Sequence, residues 1–298
     1  MTSLKARNAL FAYRLLIPAI ILTFFVHIIP TIWGVYISFR GLNVYYIRDW
    51  TQAPFVGFAN YTRALSNIQG VFWSSLSYTL IFVIASVFGC FILGILGAVL
   101  LNGYFKGRNV IRGVLLIPYI LPGVVSLTNL RFMFLQDWGI INSILLKTGL
   151  VSEPISWLTG KMALLSIIIG NVWVRWPLWF ITILASLQSI PGELYEAATV
   201  DGASDWQKFT RITLPLISPT ITVLTVLTAL WSFNNFTVPF ILTGGSPSKE
   251  ANILSLNIWI RSFKNWDFGM GAAMSVVMML IMLILILAYL RFTKLEAE

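Results

Sequence analysis

Six stretches of this chain are apolar enough, and long enough, to cross a lipid bilayer as helices of about 20 residues. They cover residues 15–39, 73–101, 114–136, 162–187, 217–242 and 270–290. Lipid offers no partner for free backbone N–H and C=O groups, so each stretch is predicted to be a helix. The sequence therefore predicts an all-α, polytopic membrane protein with six transmembrane helices, forming a single domain over residues 1–298.

Composition excludes several other classes of protein. Only 10% of the 298 residues are charged, whereas a soluble domain has about 25%. The net charge of +9 comes from short loops between the apolar runs, a distribution that does not indicate nucleic-acid binding. Cys90 is the single cysteine, which excludes an intrachain disulfide. His27 is the single histidine and has no nucleophile motif near it, so no catalytic residue and no metal site are expected.

The basic residues predict how the chain is oriented. With the N-terminus in the cytoplasm, ten of them fall on inner segments and eight on outer ones. The N-terminus and the loop 103–113 each carry three basic residues and no acidic one. Because positive charge collects on the cytoplasmic side, both termini are predicted to be cytoplasmic.

Small residues recur at every fourth position along the second stretch, at Ser86, Cys90, Gly94 and Ala98. Such a stripe lets another helix backbone approach closely. It predicts helix packing and no chemistry.

The chain carries no energy source of its own. None of its acidic residues lies in the middle of an apolar run, where ion-coupled carriers keep a functional carboxylate. It also has no G-x-x-x-x-G-K-[ST] phosphate loop. If the protein is a transporter, we expect energy to come from a partner, and an ion-coupled secondary carrier is the less favoured alternative.

The inner loop 189–215 has the signals of two short helices. Pro191 suits a first helical turn, Gly202 suits a tight turn, and Ser204 with Gln207 forms a capping box. Lys208 and Arg211 suit the C-terminal end of the second helix. A helical, partly aromatic loop of this kind fits a docking element, although an ordinary surface loop has the same signals.

The loop resembles the EAA loop of the permease subunits of binding-protein-dependent ABC importers. The residues that carry the resemblance are Glu196-Ala197-Ala198, Asp201-Gly202-Ala203, Phe209, Ile212, Leu214-Pro215 and Pro219. In that family the loop docks into a cleft of the cytoplasmic ATPase. The resemblance thus implies ATPase coupling by Glu196, Ala197, Ala198, Asp201, Gly202, Ile212, Leu214 and Pro215.

The resemblance extends over nearly the whole chain, to the carbohydrate-uptake branch of the family and the first membrane subunit of maltose-type systems. Its other motifs are Leu16-Ile17-Pro18, Ile117-Pro118-Tyr119 with Pro122-Gly123, the run from Trp231 to Phe236, and Leu242-Thr243-Gly244-Gly245. Ser246 departs from the pattern, because relatives commonly have proline directly after the two glycines.

This resemblance implies a type I ABC importer permease fold in the prokaryotic cytoplasmic (inner) membrane. It implies a non-enzymatic transport subunit with no bound cofactor, since ATP and Mg would bind a separate ATPase dimer. The other implied partners are a second, homologous permease, an extracytoplasmic solute-binding protein, membrane lipid, and a sugar or oligosaccharide as substrate. Glycerol phosphate or another small polar solute is the alternative substrate.

Polar and aromatic residues in the fourth and fifth stretches are candidates for the solute path. Amide groups beside aromatic rings suit sugar hydroxyls and the apolar faces of sugars. These candidates are Asn235, Asn234, Ser232, Thr237, Trp173, Arg175 and Trp176. Hydrogen bonding between helices is the alternative for the amides. Arg175 fits either an anionic solute or a structural contact.

Overall fold

A computed structural model describes residues 2–66 and 70–295 of the chain. The side chains of Lys5, Arg7 and Lys294, which enter the predicted charge difference, lie outside what it describes. The helices are α1 (Thr2–Thr23), α2 (Ile29–Ser38), α3 (Ala59–Leu65), α4 (Val71–Asn102), α5 (Arg108–Ile120), α6 (Gly123–Met133), α7 (Ile140–Lys147), α8 (Met162–Gln188), α9 (Gly192–Val200), α10 (Asp205–Lys208), α11 (Leu214–Phe233), α12 (Thr237–Thr243), α13 (Leu254–Trp259) and α14 (Phe268–Leu295). No β-strand occurs among these residues, only isolated bridges.

Five helical stretches in the described part are long and apolar enough to span a membrane. They are Tyr13–Ser38, Val71–Asn102, Met162–Gln188, Asp205–Phe233 and Phe268–Tyr289. The pair Arg108–Ile120 and Gly123–Met133 provides a sixth span if it is counted as one, but it is bent by 94°. The all-α prediction is confirmed, and the predicted spans correspond to these stretches in order.

The third span differs from the continuous helix predicted over 114–136. Pro122 has no backbone N–H to continue α5, and it disfavours the helical conformation for the residue before it. Leu121 accordingly has the extended backbone angles φ −65° and ψ 143°. The helix ends at Ile120 and restarts at Gly123 in a new direction.

The fifth span also differs from its prediction, over 217–242. Its helix starts earlier, at Asp205, and ends earlier, at Phe233, before the separate helix α12. A π-helical turn over residues 209–213 joins α10 to α11, with the Leu214 N–H bonded to the Phe209 carbonyl. The second short helix predicted in the loop is therefore the start of the fifth span, because this wide turn carries the helix onward without a break.

The described residues form two compact units. One contains residues 2–66, 70 and 258–280, and the other contains 71–257 and 281–295. In the first unit, the buried amide of Asn60 donates to the carbonyls of Ser38 and Arg40, both at 2.9 Å. Arg63 and Asp267 form an ion pair at 3.2 Å. These contacts hold the segment after α2 against the start of α14.

The second unit is built on the packing of α4 against α8. The predicted small-residue stripe on α4 is buried, and Gly94 lies directly against Trp179 and Phe180 of α8. A Cβ atom at Gly94 would lie 2.6 Å from the Trp179 Cβ atom. The stripe therefore acts as the sequence predicted, by bringing two helix backbones together.

Candidate functional site

The loop between α8 and α11 has defined ends and turns. The predicted capping box is present, since the Ser204 N–H donates to Gln207 Oε1 at 2.8 Å and the Gln207 N–H donates to Ser204 Oγ at 3.3 Å. Gly202 follows α9 with φ +75°, the left-handed region that favours glycine. The Ala203 N–H then bonds the Ala198 carbonyl at 2.9 Å and closes the end of α9. The turn that the sequence predicted at Gly202 is confirmed.

Helix α9 offers an open surface, because none of its residues is buried. Of the residues predicted to couple to an ATPase, Glu196, Ala197, Asp201, Gly202 and Pro215 are exposed, whereas Ala198, Ile212 and Leu214 are half-buried. Val200 is 88% exposed although it is apolar. An exposed apolar residue beside carboxylates is a surface that fits a protein partner.

A hydrogen bond attaches α9 to the fifth span. The Tyr195 hydroxyl lies 2.8 Å from Thr213 Oγ1, and Thr213 is buried within the π-helical turn. The sequence does not predict this pair, because nothing in the spacing of the two residues shows that they meet. The bond gives α9 a fixed attachment to the helix that runs on to residue 233.

A second contact of the loop lies against α4. The rings of Trp206 and Phe209 are 5.8 Å apart, and they line a groove with Ile95, Leu96 and Val99. The two aromatic residues therefore lie on one face of the helix. It packs the first turns of the fifth span on the end of α4.

The polar candidates in the spans meet around Asn171, a fully buried residue of α8. Asn171 Nδ2 donates to Ser232 Oγ at 2.9 Å. Its Oδ1 accepts from Asn235 Nδ2 at 2.8 Å and from Arg175 Nε at 2.9 Å. Ser232 is fully buried and Asn235 is 8% exposed. We call these four residues the Asn171 cluster. It joins the fourth span to the end of the fifth.

Arg175 extends from this cluster onto an aromatic ring. Its guanidinium carbon lies 5.5 Å from the centroid of the Trp231 ring, a cation–π contact. No carboxylate of the described part forms an ion pair with Arg175. Trp231 is 43% exposed, so one indole ring next to the cluster is open to a ligand.

The remaining candidates lie apart from the Asn171 cluster. Asn234 is exposed and points its amide at the Met282 sulfur atom, at 3.3 Å. Thr237 is exposed at the start of α12. Trp176 packs against Phe180 with ring centroids 6.2 Å apart. Trp173 Nε1 donates to Ser126 Oγ of α6 at 3.2 Å. The structure therefore unites Ser232, Asn235 and Arg175, and leaves the other four candidates outside the cluster.

Neither region contains the ligands of a metal site. In the residues that the structure describes, no three His, Cys, Asp or Glu side chains come together in a way that could hold a metal ion. The Asn171 cluster instead offers hydrogen-bonding groups, one cation and one open indole ring, a set that suits reversible binding of a polar solute.

The chain is similar in sequence to known transport proteins. Residues 90–295 match the family described as binding-protein-dependent transport system inner membrane component. The chain is 34% identical to the trehalose/maltose transport system permease protein MalF of Thermococcus litoralis, over 97% of this chain and 96% of that protein.

Two solved structures are similar in fold. One is a chain of a bacterial ABC transporter involved in the import of the acidic polysaccharide alginate, with a TM-score of 0.82 and 25% identity over 99% of this chain and 98% of that chain. The other is a bacterial alginate ABC transporter in complex with an alginate pentasaccharide-bound periplasmic protein. Its TM-score is 0.78 and its identity 26%, over 96% of this chain and 94% of that chain.

Proposed function

The chain belongs to the family of binding-protein-dependent transport system inner membrane components, and on that premise we propose that it is a permease of an ATP-driven importer for a sugar or oligosaccharide. As a member of this family it is a multi-pass inner-membrane transport subunit with the type I ABC importer fold, and it is not an enzyme. The observation that carries the sugar assignment is the 34% identity, over 97% of the chain, to a trehalose/maltose permease.

The proposed complex contains a second permease, two ATPase subunits that bind ATP and Mg, and an extracytoplasmic solute-binding protein. A periplasmic protein is present in the similar alginate transporter structure, which supports the last of these partners. We propose that both termini are cytoplasmic, so that the loop 189–215 faces the ATPases.

The proposed coupling element is α9 with the turn at Gly202. Its exposed face would dock on the ATPase, and the Tyr195–Thr213 bond would transmit the movement of α9 to the fifth span. The part of that span between Thr213 and Ser232 is about 28 Å long, at 1.5 Å per residue. Ser232 bonds to Asn171, so one continuous helix connects the docking surface with the Asn171 cluster. Movement of α11 against α8 would then open and close the solute path.

The proposed solute contacts are the open faces of Trp173 and Trp231, with Arg175 of the cluster against the Trp231 ring. Indole rings cover the apolar faces of sugars, while the amides of the cluster hold the two spans in register. In this arrangement Asn235 and Ser232 act through Asn171 in the state that the structure describes.

An acidic sugar is the second candidate substrate, and Arg175 is the observation that favours it. Its charge has no carboxylate partner in the described part, and a similar structure belongs to a transporter of an acidic polysaccharide. Glycerol phosphate would use the same charge. An Arg175→Gln variant separates these substrates, because uptake of an anion should be abolished and uptake of a neutral sugar retained.

Co-purification tests the importer assignment. The chain would be purified in mild detergent from its native membrane, beside Gly202→Trp and the matched control Gly149→Trp. Both glycines have positive φ, +75° and +71°, and open space where a side chain would go. An ATPase and a second permease should accompany the unmodified chain and the control, and the ATPase should be lost from Gly202→Trp. Purification of the chain alone, or equal retention of the ATPase by both variants, would contradict the proposal.

A further inference from the structure

The segment 103–113, which contains the loop after α4 and the first six residues of α5, concentrates positive charge at one end of two spans. Lys106, Arg108 and Arg112 lie within seven consecutive positions, and the segment has no acidic residue. No carboxylate of the described part forms an ion pair with any of the three. The proposed transport function leaves this cluster without a role.

Two of the cations are held in place by backbone carbonyls at the end of α4. Arg112 Nη2 donates to the Leu101 carbonyl at 2.6 Å, and Arg108 Nη1 donates to the Gly103 carbonyl at 3.3 Å. The Arg108 guanidinium also lies 4.9 Å from the centroid of the Tyr104 ring. Lys106 is exposed. Each guanidinium keeps further N–H donors, since five are available per arginine.

The side chains around these cations are apolar and open. Tyr104 is 91% exposed, Leu100 is 73% exposed and Val110 is 71% exposed. Val114, one turn after Val110, is 56% exposed. Exposed apolar side chains interleaved with lysine and arginine are the pattern of a segment that lies in the interface of a membrane.

The loop is also too short to leave that interface. Only residues 103–107 separate the end of α4 at Asn102 from the start of α5 at Arg108. The cations therefore stay within about one helical turn of the ends of the two spans, at the level of the lipid phosphates. The loop that contains α9 is longer and has four carboxylates of its own, Glu193, Glu196, Asp201 and Asp205.

From these observations we propose that Lys106 and Arg108, with Arg112 beside them, bind the phosphate headgroup of an anionic phospholipid. The acyl chains would lie along the exposed apolar side chains of α4 and α5. Lipid is favoured over a protein partner by the interleaved apolar residues and by the short loop. The proposal rests on the charge and geometry of this loop, and it does not depend on the substrate or on the coupling role of α9.

Native mass spectrometry of the full chain in detergent tests the proposal, with phosphatidylglycerol and phosphatidylethanolamine as probes. Phosphatidylglycerol should bind the unmodified chain more tightly, and raised ionic strength should weaken its binding. In Lys106→Gln/Arg108→Gln, its affinity should fall about 30-fold, as expected for two cations near the membrane surface. The control Lys147→Gln/Lys161→Gln removes the same charge from two other exposed positions, and should leave the affinity unchanged. Lys106→Arg should also leave it unchanged.

Three results would overturn the proposal. One is equal loss of phosphatidylglycerol in the control, which would mean that net charge alone attracts the lipid. Another is equal binding of the two lipids by the unmodified chain. The last is a double variant that keeps phosphatidylglycerol but loses a co-purified ATPase, which would assign the loop to a protein partner. The coupling variant Gly202→Trp should keep full lipid binding, so the two proposals can fail separately.

Discussion

At the scale of single residues, Asn171 shows how a polar side chain stabilises the interior of a membrane protein. It is fully buried, and its amide makes three hydrogen bonds, to Ser232, Asn235 and Arg175. A buried donor or acceptor without a partner costs about 1–3 kcal/mol. Each of the three neighbours depends on Asn171 for the contact described.

Replacement of Asn171 by leucine should therefore destabilise the chain by about 2 kcal/mol or more, because three polar groups lose their partner at once. The measurement is the apparent melting temperature of the purified chain in detergent, followed by tryptophan fluorescence. The control is Asn129→Leu, since Asn129 is an exposed amide on α6. A melting temperature equally lowered in both variants would contradict the role of the cluster.

At the scale of helices, two contacts of different kinds decide how the elements meet. The α4–α8 contact is a close approach of two backbones at Gly94. The contact between α9 and the π-helical turn before α11 includes a hydrogen bond between Tyr195 and Thr213. Overpacking disrupts the first kind of contact, and removal of a hydroxyl disrupts the second, so the two contacts are tested by different substitutions.

The first helix-scale prediction compares two glycines. Gly94→Ala should cost about 1–3 kcal/mol, because the new Cβ atom meets Trp179 and the backbone of α8. Gly113→Ala in α5 has nothing within 4 Å of the new atom, and should stabilise its helix by up to about 1 kcal/mol. Melting temperatures should therefore shift in opposite directions. Equal shifts would show that the stripe tolerates a larger residue and does not set the distance between α4 and α8.

The second helix-scale prediction concerns the link from α9 to the fifth span. Tyr195→Phe and Thr213→Val should each reduce transport-coupled ATP hydrolysis in the assembled complex while the ATPase still co-purifies. The double variant should be no worse than either single one, because both substitutions remove the same bond. Additive losses would mean that the two hydroxyls act independently, and would separate Thr213 from the coupling of α9.

At the scale of the whole molecule, the distribution of charge decides what can drive transport. In the described part, Asp205 is the only acidic residue within a span, and it is the first residue of the fifth span. Arg175 is the charged member of the Asn171 cluster. Carriers driven by protons usually keep an acidic group at membrane depth, and the described spans place none there.

Uptake by the assembled complex should accordingly depend on ATP and not on an ion gradient. In proteoliposomes that contain the complex and its solute-binding protein, ionophores that collapse the proton and sodium gradients should leave initial uptake unchanged. Omission of ATP from the compartment that holds the ATPases should abolish uptake. Uptake that persists without ATP, or that stops when the ion gradients are collapsed, would instead support an ion-coupled carrier.

The sequence by itself determined the features that depend on local chemistry. Apolar runs of sufficient length predicted the spans, because backbone groups in lipid have to bond within the helix. The capping box at Ser204 and the turn at Gly202 were predictable because each depends on residues only a few positions apart. The small-residue stripe on α4 was also visible as a spacing along one helix.

Only the tertiary structure decided which side chains meet. Asn171 lies 61 positions before Ser232 and 64 before Asn235, and no local pattern shows that their amide and hydroxyl groups meet across two helices. Pro122 marks where the third span breaks, but the 94° angle of the bend and the passage of the loop 189–215 into the fifth span are visible only in the structure. Hydrophobicity and helix signals fix where a helix can form, whereas its direction and its contacts depend on the helices against which it packs.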